Sequence, residues 1–169
     1  MIKILHHSGI HTLKAYQKLP VSKKEAWSFL SSPINLNRIT PDYMKLSVTS
    51  DTVGEKMFPG QIITYDMTPV PHLRMSWVTE ITQVEEERFF VDEQRYGPYS
   101  LWHHEHWLRE IPGGTAMIDR VSYKLPLGML GRWAEKAYVR KQLKKIFLYR
   151  AGKLEELFGV YPDYSPAAE

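Results

Sequence analysis

The chain has 169 residues, 43% of them apolar and 24% charged, with a formal charge of +3 at neutral pH. That fits a soluble globular domain with a sizeable core, and the charge is too small by itself to argue for nucleic-acid binding. The lack of cysteine excludes disulfides, thiolate nucleophiles and cysteine metal sites, and fits a reducing cytoplasm.

The N-terminal run opens with a short apolar stretch that falls below signal-peptide length. No segment approaches the roughly 20 apolar residues that a membrane-spanning helix needs. A cytoplasmic location is therefore expected. His11–Leu19 alternates, with Leu13, Ala15 and Leu19 to one side, and predicts a first strand ended by Pro20. Ser22 and Glu25 form a capping box ahead of a short amphipathic helix with Ala26, Phe29 and Leu30 on one face. Pro33 opens a second short helix, with Ile34 and Leu36 expected inward.

Strand signals follow over Met44–Ser50, Gln61–Met67, Leu73–Val84 and Arg88–Arg95. The connections are a loop with Gly54 and Gly60 at its ends, a two-proline linker ending at His72, and a turn over Glu85–Arg88. Gln94–Pro126 then reads as two long strands joined by a Pro-Gly-Gly turn. Trp102, His104, His106 and Leu108 sit at every second position, as do Met117, Asp119, Val121 and Tyr123, so each set shares a face. Met129–Phe158 has helical spacing, with Leu130, Trp133, Tyr138, Phe147 and Leu154 among the recurring apolar positions. Lys136, Arg140, Lys141, Lys144, Lys145 and Arg150 fill much of the remainder. A helix of that length spans about 45 Å, enough to cross a whole sheet. Gly159 stops it, and a loose, proline-rich tail is expected over 160–169.

Consecutive strands with short turns favour an antiparallel sheet, and the terminal helix is the only element large enough to cover it. A curled sheet gripping a helix often leaves a gap, the usual home of small ligands. Glycine-rich phosphate loops and nucleophile elbows are lacking.

The element order, the Gln94…Gly97-Pro98-Tyr99 run, Trp102-x-His104-x-His106, Gly114-Thr115-x-Met117-x-Asp119 and the IFLYRAGKLEELF helix resemble the START/birch-pollen-allergen-like helix-grip superfamily (SRPBCC). Within it the chain is similar to small bacterial ligand-binding members. The resemblance covers about residues 10–159 and implies an α+β, single-domain, helix-grip fold. In that fold a seven-stranded antiparallel curved sheet wraps round a long C-terminal helix, with two short helices after strand 1. It implies a hydrophobic ligand but no shared catalytic set, because the superfamily spans carriers, polyketide cyclases, hydroxylase subunits and regulators.

The alternation of His104 and His106 leaves four readings open. They are cross-strand hydrogen bonds on a wet face, a cavity group holding a ligand's polar head, acid–base catalysis, and a metal site completed by Asp119. A buried Asp119 needs a donor, which makes a network of Gln94, His104, His106 and Asp119 the sharpest hypothesis. Tyr65, Met67, Met75, Trp77, Phe90, Trp102, Met117 and Tyr123 read as core or cavity wall, the same residues serving both in this fold. The basic face of the last helix reads as solvated, with an anionic membrane surface as the alternative. The expected partner is a hydrophobic small molecule, without metal, cofactor or nucleic acid. A cyclase/dehydratase-like enzyme using His104, His106 and Asp119 is the rival reading.

Overall fold

The computed structural model describes residues 1–51, 56–70 and 73–162. Gly54, His72 and the tail beyond 162 therefore lie outside the described residues. Two strands, β1 (Ile2–His7) and β2 (Ile10–Leu19), precede two short helices, α1 (Lys23–Leu30) and α2 (Pro33–Leu36). Six more follow: β3 (Ser47–Val48), β4 (Ile62–Val70), β5 (Leu73–Glu85), β6 (Phe89–Tyr96), β7 (Leu101–Ile111) and β8 (Gly114–Lys124). A continuous C-terminal helix combines α3 (Gly128–Ala134), a π-turn (Glu135–Val139) and α4 (Arg140–Phe158).

The strands form one antiparallel sheet in the order β1-β2-β8-β7-β6-β5-β4-β3. Among the described residues there are thus eight strands, where seven are expected. The additional one is β1, which zips onto β2 from His7↔Ile10 to Ile2↔Ala15. Ser8 and Gly9 both hold positive φ, the geometry of a two-residue hairpin turn, so the short apolar N-terminal run becomes an edge strand. At the other edge only Ser47–Val48 pairs, not Met44–Ser50. A 3-10 turn over Asp42–Met44 and a left-handed Lys45 consume the residues before it.

Ser22 caps α1 as read, with the Glu25 amide donating to Ser22 Oγ at 3.2 Å. Ala26 and Trp27 are buried beneath it. Ile34 is half exposed and does not turn inward, while Leu36 packs against the core. Register shifts between Val78 and Thr79, between Ile81 and Gln83, and near Met67–Val70 interrupt the ladders on both sides of β5. Such bulges bend a sheet, and here the bend curls it round α4.

Helix α4 buries Leu143, Phe147, Arg150 and Leu154. Arg150 thus lies on the inner stripe, among the apolar positions. Leu130 and Trp133 stay exposed, although their spacing predicts packing on the sheet. The π-turn explains the mismatch, because its wider turn shifts the phase of the helix. Two apolar clusters result. The larger gathers residues such as Leu19, Ile63, Trp77, Phe90 and Leu154; the smaller joins Leu13, Val121 and Tyr123 to Leu143 and Phe147. Each fully buried Leu or Phe contributes roughly 2 kcal/mol, so the clasp of sheet on helix is mainly apolar burial.

The β7–β8 turn meets the end of β2 with no room to spare. A Cβ on Gly114 would lie 2.1 Å from the Leu19 carbonyl oxygen. Gly114→Ala is therefore expected to lower unfolding free energy by about 2 kcal/mol through backbone displacement, checked by urea denaturation. An unchanged midpoint would mean that this corner yields freely.

Candidate functional site

Three adjacent strands bring four polar residues into one row. Across β6 and β7, Asp92 pairs with His104 and Phe90 with His106. Across β7 and β8, His106 pairs with Asp119. Because side chains two apart share a face, Phe90, Asp92, His104, His106 and Asp119 all point toward α4. Arg150 comes from the helix to meet them, with Nη1 3.4 Å from Asp119 Oδ1.

The two imidazoles lie between two carboxylates. His106 Nε2–H donates to Asp92 Oδ2 at 2.7 Å, and His104 Nε2–H donates to Asp119 Oδ1 at 3.1 Å. His104 Nδ1 stands 3.5 Å from the same Asp92 oxygen. The rings stack on each other with centroids 3.7 Å apart, and Phe90 stacks on the outer side of His106 at 4.0 Å. Asp119 is wholly buried, while His104, His106 and Arg150 are nearly so.

Burial would raise the Asp119 carboxyl, but the Arg150 guanidinium and both imidazoles hold it well below the usual range. Burial also opposes ionisation of Asp92, and the two histidines bring it below normal. The imidazoles part company. Burial and the neighbouring His106 lower His104 despite its carboxylate partners. His106 also suffers burial, yet the close Asp119 carboxylate and the ring's hydrogen bond to Asp92 lift it above the ordinary 6.5. Two carboxylates face one guanidinium, so a single proton on the imidazole pair balances the cluster. The opposed shifts favour His106 over His104 for that proton, and the face of Phe90 suits a cation there.

Above this row opens a cavity of about 360 Å³ between sheet and helix. Among the sequence-read residues, Tyr65, Met67, Met75, Trp77, Phe90, Trp102, His104 and His106 line it. Trp77 meets Trp102 edge-on at 5.2 Å, giving the wall an aromatic corner. The other four read as ligand-binding do not line it. Asp119 stands behind the histidines, and with Met117 and Arg150 borders a shallower recess on the far side. Tyr123 turns into the second apolar cluster and donates its hydroxyl to Glu135 at 3.0 Å. Gln94 is not in the polar row. Its carboxamide grips Tyr99, donating to the carbonyl at 2.7 Å and accepting from the amide at 3.2 Å. It therefore shapes the Gly97-Pro98-Tyr99 bend that leads into β7.

Asp92 and Arg150 complete the cluster and escape the sequence reading. Both carry a signal. Asp92 stands between Phe90 and Gln94 at the same strand period. Arg150 occupies the Leu143–Phe147–Leu154 stripe at helical period. His106 Nδ1, Asp119 Oδ2 and Arg150 Nε are buried without a hydrogen-bond partner among the described residues. His106 Nδ1 is only 3.1 Å from Asp119 Oδ1, but off the line of a hydrogen bond. The polar floor thus keeps unsatisfied capacity next to an apolar space.

Asp92, His104 and His106 also place three ligand-type atoms within 4.8 Å of one another. Those atoms are engaged with one another: His106 Nε2–H donates to Asp92 Oδ2, and His104 Nδ1 stands 3.5 Å from the same oxygen.

Sheet, helix and enclosed space together define a helix-grip protein with an internal cavity. The chain belongs to the family described as polyketide cyclase / dehydrase and lipid transport, whose profile matches residues 19–147. It lies within the START/birch-pollen-allergen-like helix-grip superfamily. Protein Ms6760 from Mycobacterium smegmatis is similar in structure, with 17% identity over 93% of this chain and 99% of that one and a TM-score of 0.65. Protein CV1439 from Chromobacterium violaceum shares 9% identity over 89% and 98%, with a TM-score of 0.68. Ginseng major latex-like protein 151 from Panax ginseng shares 11% over 89% and 99%, with a TM-score of 0.66. At such identities the likeness is one of fold. No curated protein matches the sequence significantly.

The opposed shifts carry opposite pH signs. His106, raised in the folded state, stabilises the protein fully below pH 6.5, and that contribution is lost as pH rises through its folded value. His104, lowered when folded, costs stability as pH falls below 6.5. Imidazole nitrogen NMR is expected to find His106 losing its proton at a higher pH than His104. Coincident midpoints would contradict the asymmetry.

Proposed function

We propose that the protein binds a hydrophobic small molecule between sheet and helix, and that the histidine–carboxylate row holds a polar end of that guest. The single observation carrying this reading is the juxtaposition of an apolar cavity of about 360 Å³ with a buried polar floor. The volume falls in the range common for small-molecule sites, roughly 300–1,000 Å³. Tyr65, Met67, Met75, Trp77, Phe90 and Trp102 supply the apolar wall. A guest burying roughly 300 Å² gains about 7 kcal/mol gross from apolar transfer, so binding energy comes mainly from the wall. His104, His106 and Asp92 give orientation. Asp119 acts from behind by holding the His104 ring, and Arg150, which also lines the cavity, pairs with Asp119.

Native mass spectrometry of freshly purified protein, followed by fluorescence titration with apolar and polar-headed probes, tests the reading. Met67→Trp, which fills the wall, is expected to weaken both probe types at least about tenfold. His106→Phe is expected to retain the apolar probe and lose the preference for the polar head. Wild-type protein that takes up neither probe would refute the proposal.

A second reading is an acid–base enzyme of the cyclase or dehydratase kind. The observation favouring it is the pair of stacked histidines with pKa values driven apart, which gives one acid and one base at the same floor. On that reading, His104→Gln or His106→Gln lowers turnover of an identified carbonyl substrate about a hundredfold while binding persists. Undiminished turnover in both variants would leave the carrier reading alone.

A further inference from the structure

The surface around the start of the C-terminal helix does not match the rest of the fold. Leu127, Met129, Leu130 and Trp133 are contiguous, and each is between 70% and 77% exposed. Large apolar side chains grouped at such exposure mark an interaction site. Their backbone is held out rather than frayed. Leu127 adopts a left-handed conformation, φ 65° and ψ 27°, which is costly for a non-glycine residue. Gly131 presses so closely on the preceding loop that a Cβ there would lie 2.1 Å from the Pro126 carbonyl oxygen. The loop and first helical turn therefore form a firm, exposed knuckle.

The charge around the knuckle has one sign. Between Lys124 and Lys153 the sequence contains a single acidic residue, Glu135. That residue is folded inward at 1% exposure, where it accepts from Tyr123 and Arg140. Lys124, Arg132, Lys136 and Lys141 are exposed. Arg132 and Lys136 flank Trp133 one residue before and three after it, within a helical turn.

The knuckle also borders the cavity. Leu125, two residues before Leu127, and Tyr138, five after Trp133, both line it. Tyr138, Val70 and Leu73 are lining residues that are themselves exposed, which places the mouth on this side.

We infer that the knuckle docks on an anionic lipid bilayer. Leu127, Met129, Leu130 and Trp133 enter the boundary between headgroups and acyl chains, and the flanking cations meet lipid phosphates. Exposed apolar side chains interspersed with exposed cations fit a surface that offers both acyl chains and phosphates. Nucleic acid has no use for three aliphatic side chains at the centre of the contact. The mouth then faces the bilayer, and an apolar guest passes between cavity and membrane without crossing water. Docking needs no particular guest, so it stands or falls apart from the function proposed above.

The test is co-sedimentation of the full chain with phosphatidylcholine vesicles, with and without phosphatidylglycerol. The protein is expected to pellet with the anionic vesicles, hardly with the neutral ones, and less at about 0.5 M salt than at about 0.1 M. Two separate variants, Leu127→Ser/Trp133→Ser and Lys136→Glu/Lys141→Glu, each alter exposed positions and are checked for folding by circular dichroism. Each is expected to reduce vesicle partitioning at least about tenfold. No pelleting, equal pelleting with neutral vesicles, or pelleting unaffected by both variants would overturn the inference. So would self-association, or nucleic-acid binding without vesicle binding, that the first variant abolishes.

Discussion

The buried pairing of Arg150 with Asp119 fixes how the helix sits in the sheet. A guanidinium and a carboxylate that are both nearly or fully removed from water must meet, because either one alone is far costlier than the pair. Their meeting admits one rotation and one axial position of α4. With Asp119 held, the His104 ring has an acceptor on one side and Asp92 on the other, and His106 stacks beside it. Such a pair gives specificity of arrangement more than stability, since apolar residues of equal volume could hold the helix as well.

The same constraint accounts for the hollow. Bulges on both sides of β5 bend the sheet around a helix whose inner face adds Leu143 and Phe147 to the cavity lining. Large aromatic residues on β5 and β7 brace one another at the rim of the space rather than filling it, as the edge-on Trp77–Trp102 contact illustrates. An apolar wall lowers the local dielectric, and that strengthens each interaction in the polar floor. The two imidazoles then separate in proton affinity although they are chemically alike and stacked ring on ring. Wall and floor are therefore one device, whether it orients a guest or moves a proton.

The long helix divides its work at the π-turn. Beyond it, α4 carries an inner stripe of four buried residues, of which Leu143, Phe147 and Arg150 line the cavity. Before it, the rotated phase leaves the apolar positions of α3 without the sheet and turns Glu135 inward instead. The outward face is left apolar and cationic beside the mouth.

Much of this was legible in the sequence. Strand alternation grouped His104 with His106 on one face of their strand and Met117 with Asp119 on one face of theirs, and the capping box, the proline-opened helix and the terminal helix follow from local rules of spacing and capping. Eight wall residues also follow, because period-two patterning marks the inner face of a strand whatever its neighbours are. What local rules could not supply is which strand lies beside which, and in what register. That decided that Asp92, not Gln94, completes the row, that Tyr123 and Met117 turn away from the cavity, and that a short N-terminal run becomes an eighth strand. Arg150 shows the same limit on a helix. Its position on the apolar stripe was visible, but a charge is buried only where a partner waits, and that partner comes from a strand about thirty residues earlier. Sequence fixed the faces of the elements through their periodicity; only the packed fold, through register and the phase shift of one π-turn, decided which of those faces meet.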